Sequence, residues 1–156
     1  QVARLLDLQN DLNATVDLYN QTELIRAQIQ QLNRTLAADG DNGDVRSAAD
    51  SLEQKFIAFE ENVQQLRTTG RGQDGVRWPG KLAGRIGYLA NGMASSDFAP
   101  TTQQTQVHEL FKSEIRTLQG QLSALITGDL SRFNDRLRQR NIPNIVTGAT
   151  QPRMVP

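Results

Sequence analysis

His108 is the only histidine of the chain, so any acid–base or metal chemistry that uses a histidine would involve it. Glu109 follows it, but Lys112 stands where a zinc-binding H-E-x-x-H helix carries its second histidine. The Glu-x-x-His spacing of metal-binding bundles and the serine elbow of hydrolases are also missing. We therefore interpret His108 as an ordinary first-turn residue of a helix.

Two groups of carboxylates could serve acid–base catalysis or cation binding. The Glu60-Glu61 pair lies within a helical pattern, and we interpret it as part of a solvated helix face. The cluster from Asp39 to Asp44 resembles a calcium loop, since alternate carboxylates can converge on a hard cation. Its glycine falls at the fifth loop position instead of the sixth, and the twelfth is Asp50 rather than a bidentate glutamate. A capped turn is therefore favoured, with weak adventitious calcium binding as the alternative.

Patterns that could concern phosphates or glycans lack their usual context. The run Gly70–Gly75 matches G-x-G-x-x-G but follows a helix instead of a strand, which favours a surface loop. Four arginines lie near the end of the last predicted helix: Arg132, Arg136, Arg138 and Arg140. Because aspartates are interspersed among them, a solvated helix end is favoured over a nucleic-acid site. N-glycosylation sequons begin at Asn13, Asn20 and Asn33 and would matter only in a eukaryotic protein.

Composition excludes several classes of site and partner. Seventeen basic and 17 acidic residues cancel, which argues against nucleic acid or an anionic membrane surface as a partner. The absence of cysteine excludes disulfides and thiolate metal sites. No stretch approaches the roughly 18 consecutive apolar residues of a membrane span. Aromatic residues make up only 5%, which is typical of a helical bundle.

Helices must position these residues, and the clearest helical pattern lies in the last third of the chain. Its apolar residues recur at steps of three to five: Val107, Phe111, Ile115, Leu118, Leu122, Leu125, Leu130, Phe133 and Leu137. A helix over about 101–141 would be roughly 60 Å long and needs long partners. Thr101 and Gln104 predict a capping box at its start. Gly120 and Gly128 inside it predict close packing or a bend.

Three further helices are predicted over about 2–37, 44–68 and 79–94. The first carries two stripes that face different neighbours, one of Leu5, Leu8, Leu12, Val16 and Tyr19 and one of Ile25, Ile29, Leu32 and Leu36. An aspartate of the preceding turn can cap the second helix, and Pro79 suits the first turn of the third. The prediction is an all-α antiparallel four-helix bundle over 1–146, with three long helices and one short one. An extended tail over 147–156 can lie along the bundle.

The helical pattern is already present at Val2, directly after Gln1. We therefore expect the natural start to lie upstream, with the chain as a processed product or part of a larger protein.

Three segments in the second half carry a resemblance to a known family. They are Trp78-Pro79-Gly80-Lys81-Leu82, Ser96-Asp97-Phe98-Ala99-Pro100-Thr101 and Asp129-Leu130-Ser131-Arg132-Phe133-Asn134. The region resembles the helical C-terminal part of large secreted bacterial proteins with sortilin-like, BNR-repeat β-propellers. The similarity covers roughly Trp78 to Ile145 and does not include the propeller. It implies a scaffold-like, extracytoplasmic module, periplasmic or secreted, with no catalytic residues to transfer.

The sequence therefore favours a non-catalytic structural or interaction module, an accessory subunit or C-terminal part of a larger extracytoplasmic protein or assembly. We expect a protein partner, no nucleic acid, no cofactor and no metal. Trp78, Pro79 and Lys81 are predicted to contact that partner, because tryptophan is enriched at binding hot spots. The alternative is a small-ligand- or metal-binding bundle. A polar cluster buried between helices would favour the alternative, and an exposed apolar patch near Trp78 would favour docking.

Overall fold

The computed structural model describes residues 2–38, 40–68, 72–95 and 99–148, excluding the side chains of residues 74 and 75. Within these ranges six α-helices follow in order: α1 (Val2–Leu36), α2 (Gly43–Val63), α3 (Asp74–Arg77), α4 (Leu82–Ala94), α5 (Thr102–Ala124) and α6 (Ser131–Gln139). A 3₁₀ turn, Gly40–Asn42, precedes α2, and a π-helical segment, Leu125–Leu130, joins α5 to α6. The described ranges contain no strand, and the predicted all-α helical bundle is confirmed.

The two halves of α1 have different neighbours, as its two stripes predict. Three side-chain pairs join the C-terminal half to α2: Arg26–Glu60, Gln30–Glu53 and Asn33–Asp50. In the N-terminal half, Asp11 pairs with His108 of α5, and α1 also contacts α4. Residue numbers rise on α1 as they fall on α2, which is the order of antiparallel neighbours. The antiparallel order of the whole bundle stays a prediction.

Two positions of the predicted stripes are wrong, and in each case an adjacent polar residue is buried instead. Val16 is 43% exposed and Val107 is 37% exposed, whereas Thr15 and His108 are buried. The Thr15 hydroxyl donates to the Asp11 carbonyl oxygen at 2.8 Å, so its burial leaves no polar group unsatisfied. A hydrophobic pattern misses such residues because it scores them as polar.

Two helices are shorter than predicted. The second, α2, ends at Val63 instead of residue 68, because Gln64 turns to extended backbone. The third predicted helix, α4, begins at Leu82 instead of residue 79, with Lys81 as its N-cap. Pro79 therefore precedes the helix, and its predicted place in the first turn is wrong.

The acidic turn between α1 and α2 is held by an arginine. Arg140 Nη1 donates to the Asp41 carbonyl oxygen at 3.2 Å, and its Nη2 donates to Asp44 Oδ2 at 2.7 Å. The N-cap of α2 is Asn42 without a side-chain cap bond, so the predicted aspartate cap is wrong. Asp39 lies outside the described residues. A guanidinium thus supplies the positive charge that the calcium interpretation assigns to an ion.

The last predicted helix corresponds to α5, the π-helical segment and α6 in succession. Its predicted capping box, formed by Thr101 and Gln104, is confirmed. The stripe takes its one five-residue step into Leu130, and the wider turn of a π-helix keeps this residue buried. Gly128 lies in the π-helical segment. At Gly120 an added Cβ would meet nothing within 4 Å, so close packing there is wrong.

After α6 the chain leaves the helix and lies against the bundle. Asn134 of α6 and Gln28 of α1 bind the backbone of Ile145 and Val146. The described part of the tail therefore lies along the bundle, as predicted. Residues 149–156 of the predicted tail lie outside the described residues.

Candidate functional site

The three residues predicted to contact a partner lie on the segment that leads into α4. Trp78 is half-buried, and the guanidinium carbon of Arg67 lies 5.2 Å from the centroid of its ring. Pro79 is exposed, and its carbonyl oxygen accepts a hydrogen bond from Gln65 Nε2 at 3.1 Å. Lys81 is half-buried at the N-cap of α4. One face of the indole is thus covered within the chain, and the segment is tied to the residues that follow α2.

Exposed apolar side chains also occur on α4 and α5. We define the α4–α5 face as Arg85 and Tyr88 of α4 with Val107, Leu110 and Glu114 of α5. Tyr88 is 84% exposed and Leu110 is 68% exposed. Arg85 Nη2 donates to Glu114 Oε1 at 2.7 Å, which joins the two helices. Tyr88 lies one turn from Arg85, and residues at this spacing share a helix face.

The chemistry of the α4–α5 face is that of an apolar contact surface. Val107 and Leu110 line a shallow cleft with Phe111, and the guanidinium of Arg85 lies 5.5 Å from the Phe111 ring centroid. Arg85 is thus engaged by both a carboxylate and an aromatic ring. A partner would gain mainly from apolar burial here, because the arginine charge is paired within the chain.

A second feature is a partly buried ionic cluster between α1 and α2, with Glu60 at its buried end. Glu60 is fully buried, and its Oε2 accepts a hydrogen bond from Arg26 Nη1 at 2.6 Å. The same nitrogen donates to Glu23 Oε1 at 2.9 Å, and Arg26 Nη2 lies 3.6 Å from Glu53 Oε1. One guanidinium therefore faces three carboxylates. The interpretation of Glu60 as a solvated residue is wrong, because it lies on the core side of α2.

The electrostatics of this cluster raise the pKa values of Glu60, Tyr19 and Arg26. Burial raises the pKa of Glu60 from 4.5 to about 7, the neighbouring Glu23 carboxyl adds to this rise, and the Arg26 guanidinium opposes it. Oε1 of Glu60 is buried with no hydrogen-bond partner among the described residues, which favours the neutral carboxyl. Burial, with the charges of Glu23 and Glu60, also raises the pKa of Tyr19. The cluster therefore has a group that titrates near neutral pH.

His108, which the sequence analysis interprets as an ordinary first-turn residue of a helix, is a buried residue of α5. It is 1% exposed, and its Nε2 lies 2.6 Å from Asp11 Oδ2. Its Nδ1 is buried with no hydrogen-bond partner among the described residues. A histidine–aspartate pair can activate a hydroxyl nucleophile. The hydroxyl of Thr15, one turn from Asp11, instead donates to the helix backbone. The pair therefore serves to join α1 to α5.

Three of the four arginines predicted to crowd the helix end pair with nearby carboxylates: Arg132 at the start of α6 with Asp129, Arg138 with Asp135, and Arg140 just after α6 with Asp44. Asp129 also accepts a hydrogen bond from Lys55, which lowers the pKa of its carboxyl. These pairs agree with the interpretation of a solvated helix end. In the described part of the chain, no three or more histidine and carboxylate side chains are grouped so as to hold a metal ion. No helix there has the length and apolar character needed to cross a membrane.

Comparison with protein-family models, curated proteins and solved structures finds no match to this chain. The resemblance to the helical region of sortilin-like propeller proteins therefore stays a prediction, and any functional conclusion must come from the residues themselves.

Sequence reasoning missed Tyr88 and Glu60, although each carried a signal. Tyr88 lies outside the apolar stripe of α4, which consists of Leu82, Ile86, Leu89 and Met93. The sequence therefore predicts that its aromatic side chain faces away from the core. Glu60 follows Phe56 by four residues and precedes Val63 by three, which is the spacing of the core face.

Proposed function

We propose that the chain is a non-catalytic interaction module, an accessory subunit or C-terminal part of a larger extracytoplasmic assembly, which docks a partner protein through the α4–α5 face. The observation that supports it is the exposure of Tyr88 and Leu110, 84% and 68%, beside an arginine that is already paired. Exposed apolar patches mark interaction sites, and tyrosine is enriched among binding hot spots. The extracytoplasmic setting and the bacterial source rest on the resemblance alone.

The predicted contact residues Trp78, Pro79 and Lys81 have a supporting role in this proposal. Because the Trp78 ring lies under Arg67, it anchors the segment that leads into α4. Pro79 is exposed on the same segment, and its carbonyl oxygen accepts a hydrogen bond from Gln65. The partner surface that fits is an apolar protein surface rather than nucleic acid, because the face offers no unpaired cation to a phosphate.

A second candidate function, binding of a small ligand or metal ion, is favoured by the partly buried ionic cluster of Glu23, Arg26, Glu53 and Glu60. Three carboxylates around one guanidinium leave an excess of negative charge when all are ionised, which would suit a small cation. The guanidinium, however, is bonded to the carboxylates where a cation would bind. Docking is therefore the better supported proposal.

Co-purification from the source cells with matched variants tests the docking proposal. Tyr88→Ala and Leu110→Ala should each release a partner that wild type retains, with far-UV circular dichroism unchanged. Leu6→Ala is the control, because Leu6 is similarly exposed at 60% but lies on α1. Trp78→Ala should weaken binding only if it moves the segment that leads into α4. Equal retention by all these variants would refute docking at the α4–α5 face.

A further inference from the structure

Side-chain amides form the hydrogen bonds to the tail backbone that a neighbouring strand would form in a β-sheet. Asn134 Nδ2 donates to the Ile145 carbonyl oxygen at 3.0 Å, and the Ile145 N–H donates to Asn134 Oδ1 at 2.8 Å. Gln28 makes the same two bonds to Val146, at 2.7 and 2.8 Å. Each amide satisfies both backbone polar groups of one residue, so the binding is independent of the tail's side chains.

These contacts give the tail a direction across the bundle. Successive residues of an extended segment present their polar groups to opposite sides, so Ile145 faces α6 and Val146 faces α1. The next residue, Thr147, accepts a hydrogen bond from Gln21 Nε2 at 3.4 Å. Contacts on α1 thus move from Gln28 to Gln21, toward its N-terminus, as the tail proceeds.

Gly148 brings the tail to an open cleft between α1 and α5. Its φ of +68° favours glycine, and an added Cβ would lie 2.8 Å from Leu24 Cδ2, so a larger residue would also have to displace the Leu24 side chain. The cleft has a volume of about 650 Å³. Its apolar walls include Leu18 and Leu24 of α1 and Leu122 of α5, with Asp17 at its polar edge.

We infer that this cleft binds the chain's own residues 149–153. The cleft follows α1 from Leu24 to Ala14, about 15 Å at 1.5 Å per helical residue, which about five extended residues would span. Within that reach Pro152 disfavours helical backbone at the residue before it, and Arg153 has the charge that complements Asp17.

Engineered cysteine pairs test this inference, because the chain has no cysteine of its own. The test pair is Gln151→Cys with Ser123→Cys, which lies in the cleft. The control pair is Gln151→Cys with Thr117→Cys, also exposed on α5 but lining the cleft of the α4–α5 face. In a glutathione redox buffer the test pair should form an intramolecular disulfide with an effective concentration at least about tenfold above the control. Adding Gly148→Ala should lower it to the control value.

Equal effective concentrations in the two pairs would overturn the inference. So would disulfides formed mainly between chains, seen as isotope-mixed dimers, which would assign the cleft to the tail of a second copy. An unchanged effective concentration in a folded Gly148→Ala variant would show that the tail does not enter the cleft through Gly148, and would overturn that part of the inference. If Gly148→Ala loses helical content, Gln28→Ala replaces it, because this change removes both hydrogen bonds to Val146. The same fall to the control value is then expected.

Discussion

Glu60→Gln should change the pH dependence of stability, because the folded protein favours the neutral form of this carboxyl. The pKa of Glu60 is about 7 in the folded state against 4.5 for an unperturbed glutamate. Its protonated form therefore stabilises the fold fully below about pH 4.5, and this contribution is lost as pH rises to about 7. A shift of this size corresponds to roughly 3 kcal/mol, at 1.36 kcal/mol per pH unit.

The variant should lose this dependence while keeping the local contacts. A glutamine carbonyl oxygen can still accept the hydrogen bond from Arg26, and its amide is neutral, as a protonated carboxyl is. The free energy of unfolding of Glu60→Gln minus that of wild type should therefore rise by about 3 kcal/mol between pH 4.5 and pH 8.

Urea unfolding followed by far-UV circular dichroism across this pH range measures the difference directly. Other titrating groups cancel in the subtraction. Glu61→Gln is the matched control, because the adjacent Glu61 side chain is 40% exposed and belongs to no buried cluster. A difference that stays constant with pH for Glu60→Gln, or one that Glu61→Gln reproduces, would refute the electrostatic reasoning.

Three further predictions concern packing, the tail and metals. Leu122→Ala should lower the free energy of unfolding by about 2–5 kcal/mol, because Leu122 is 2% exposed. His108→Ala should lower it by about 1–3 kcal/mol, because Asp11 is left unpaired. Small losses for both variants in denaturant melts would contradict the core described. Asn134→Ala should speed hydrogen exchange at the Ile145 amide by about five- to tenfold, since one net hydrogen bond is about 1 kcal/mol; unchanged protection by nuclear magnetic resonance would count against the amide contact. Elemental analysis after chelator-free purification should find no stoichiometric zinc, iron or manganese, and one equivalent of any would revive the metal-binding alternative.

The helices could be predicted from the sequence because each buries a periodic apolar stripe. Their ends were less predictable, since nothing in the composition near Gln64 marks the change to extended backbone that stops α2. The burial of Glu60 and His108 was missed because each pairs with a residue on another helix, Glu60 with Arg26 and His108 with Asp11. Apolar periodicity carries no information on such pairings.

The amide contacts of the tail lay beyond sequence reasoning for a different reason. Gln28 and Val146 are 118 residues apart, and glutamine and asparagine are common along the whole chain. No local pattern distinguishes the two amides that bind backbone from those that face solvent. The exposure of Tyr88 could have been predicted, since it falls outside the stripe of α4.

Site-specific photocrosslinking in the source cells tests docking at the α4–α5 face most directly. A photoreactive phenylalanine analogue would replace Leu110 in one variant and Leu6, the similarly exposed residue of α1, in another. We predict one defined crosslinked protein at position 110 that is absent at position 6 and disappears when Tyr88→Ala is added. No crosslink at position 110, or the same products at both positions, would contradict the proposal that this face binds a partner.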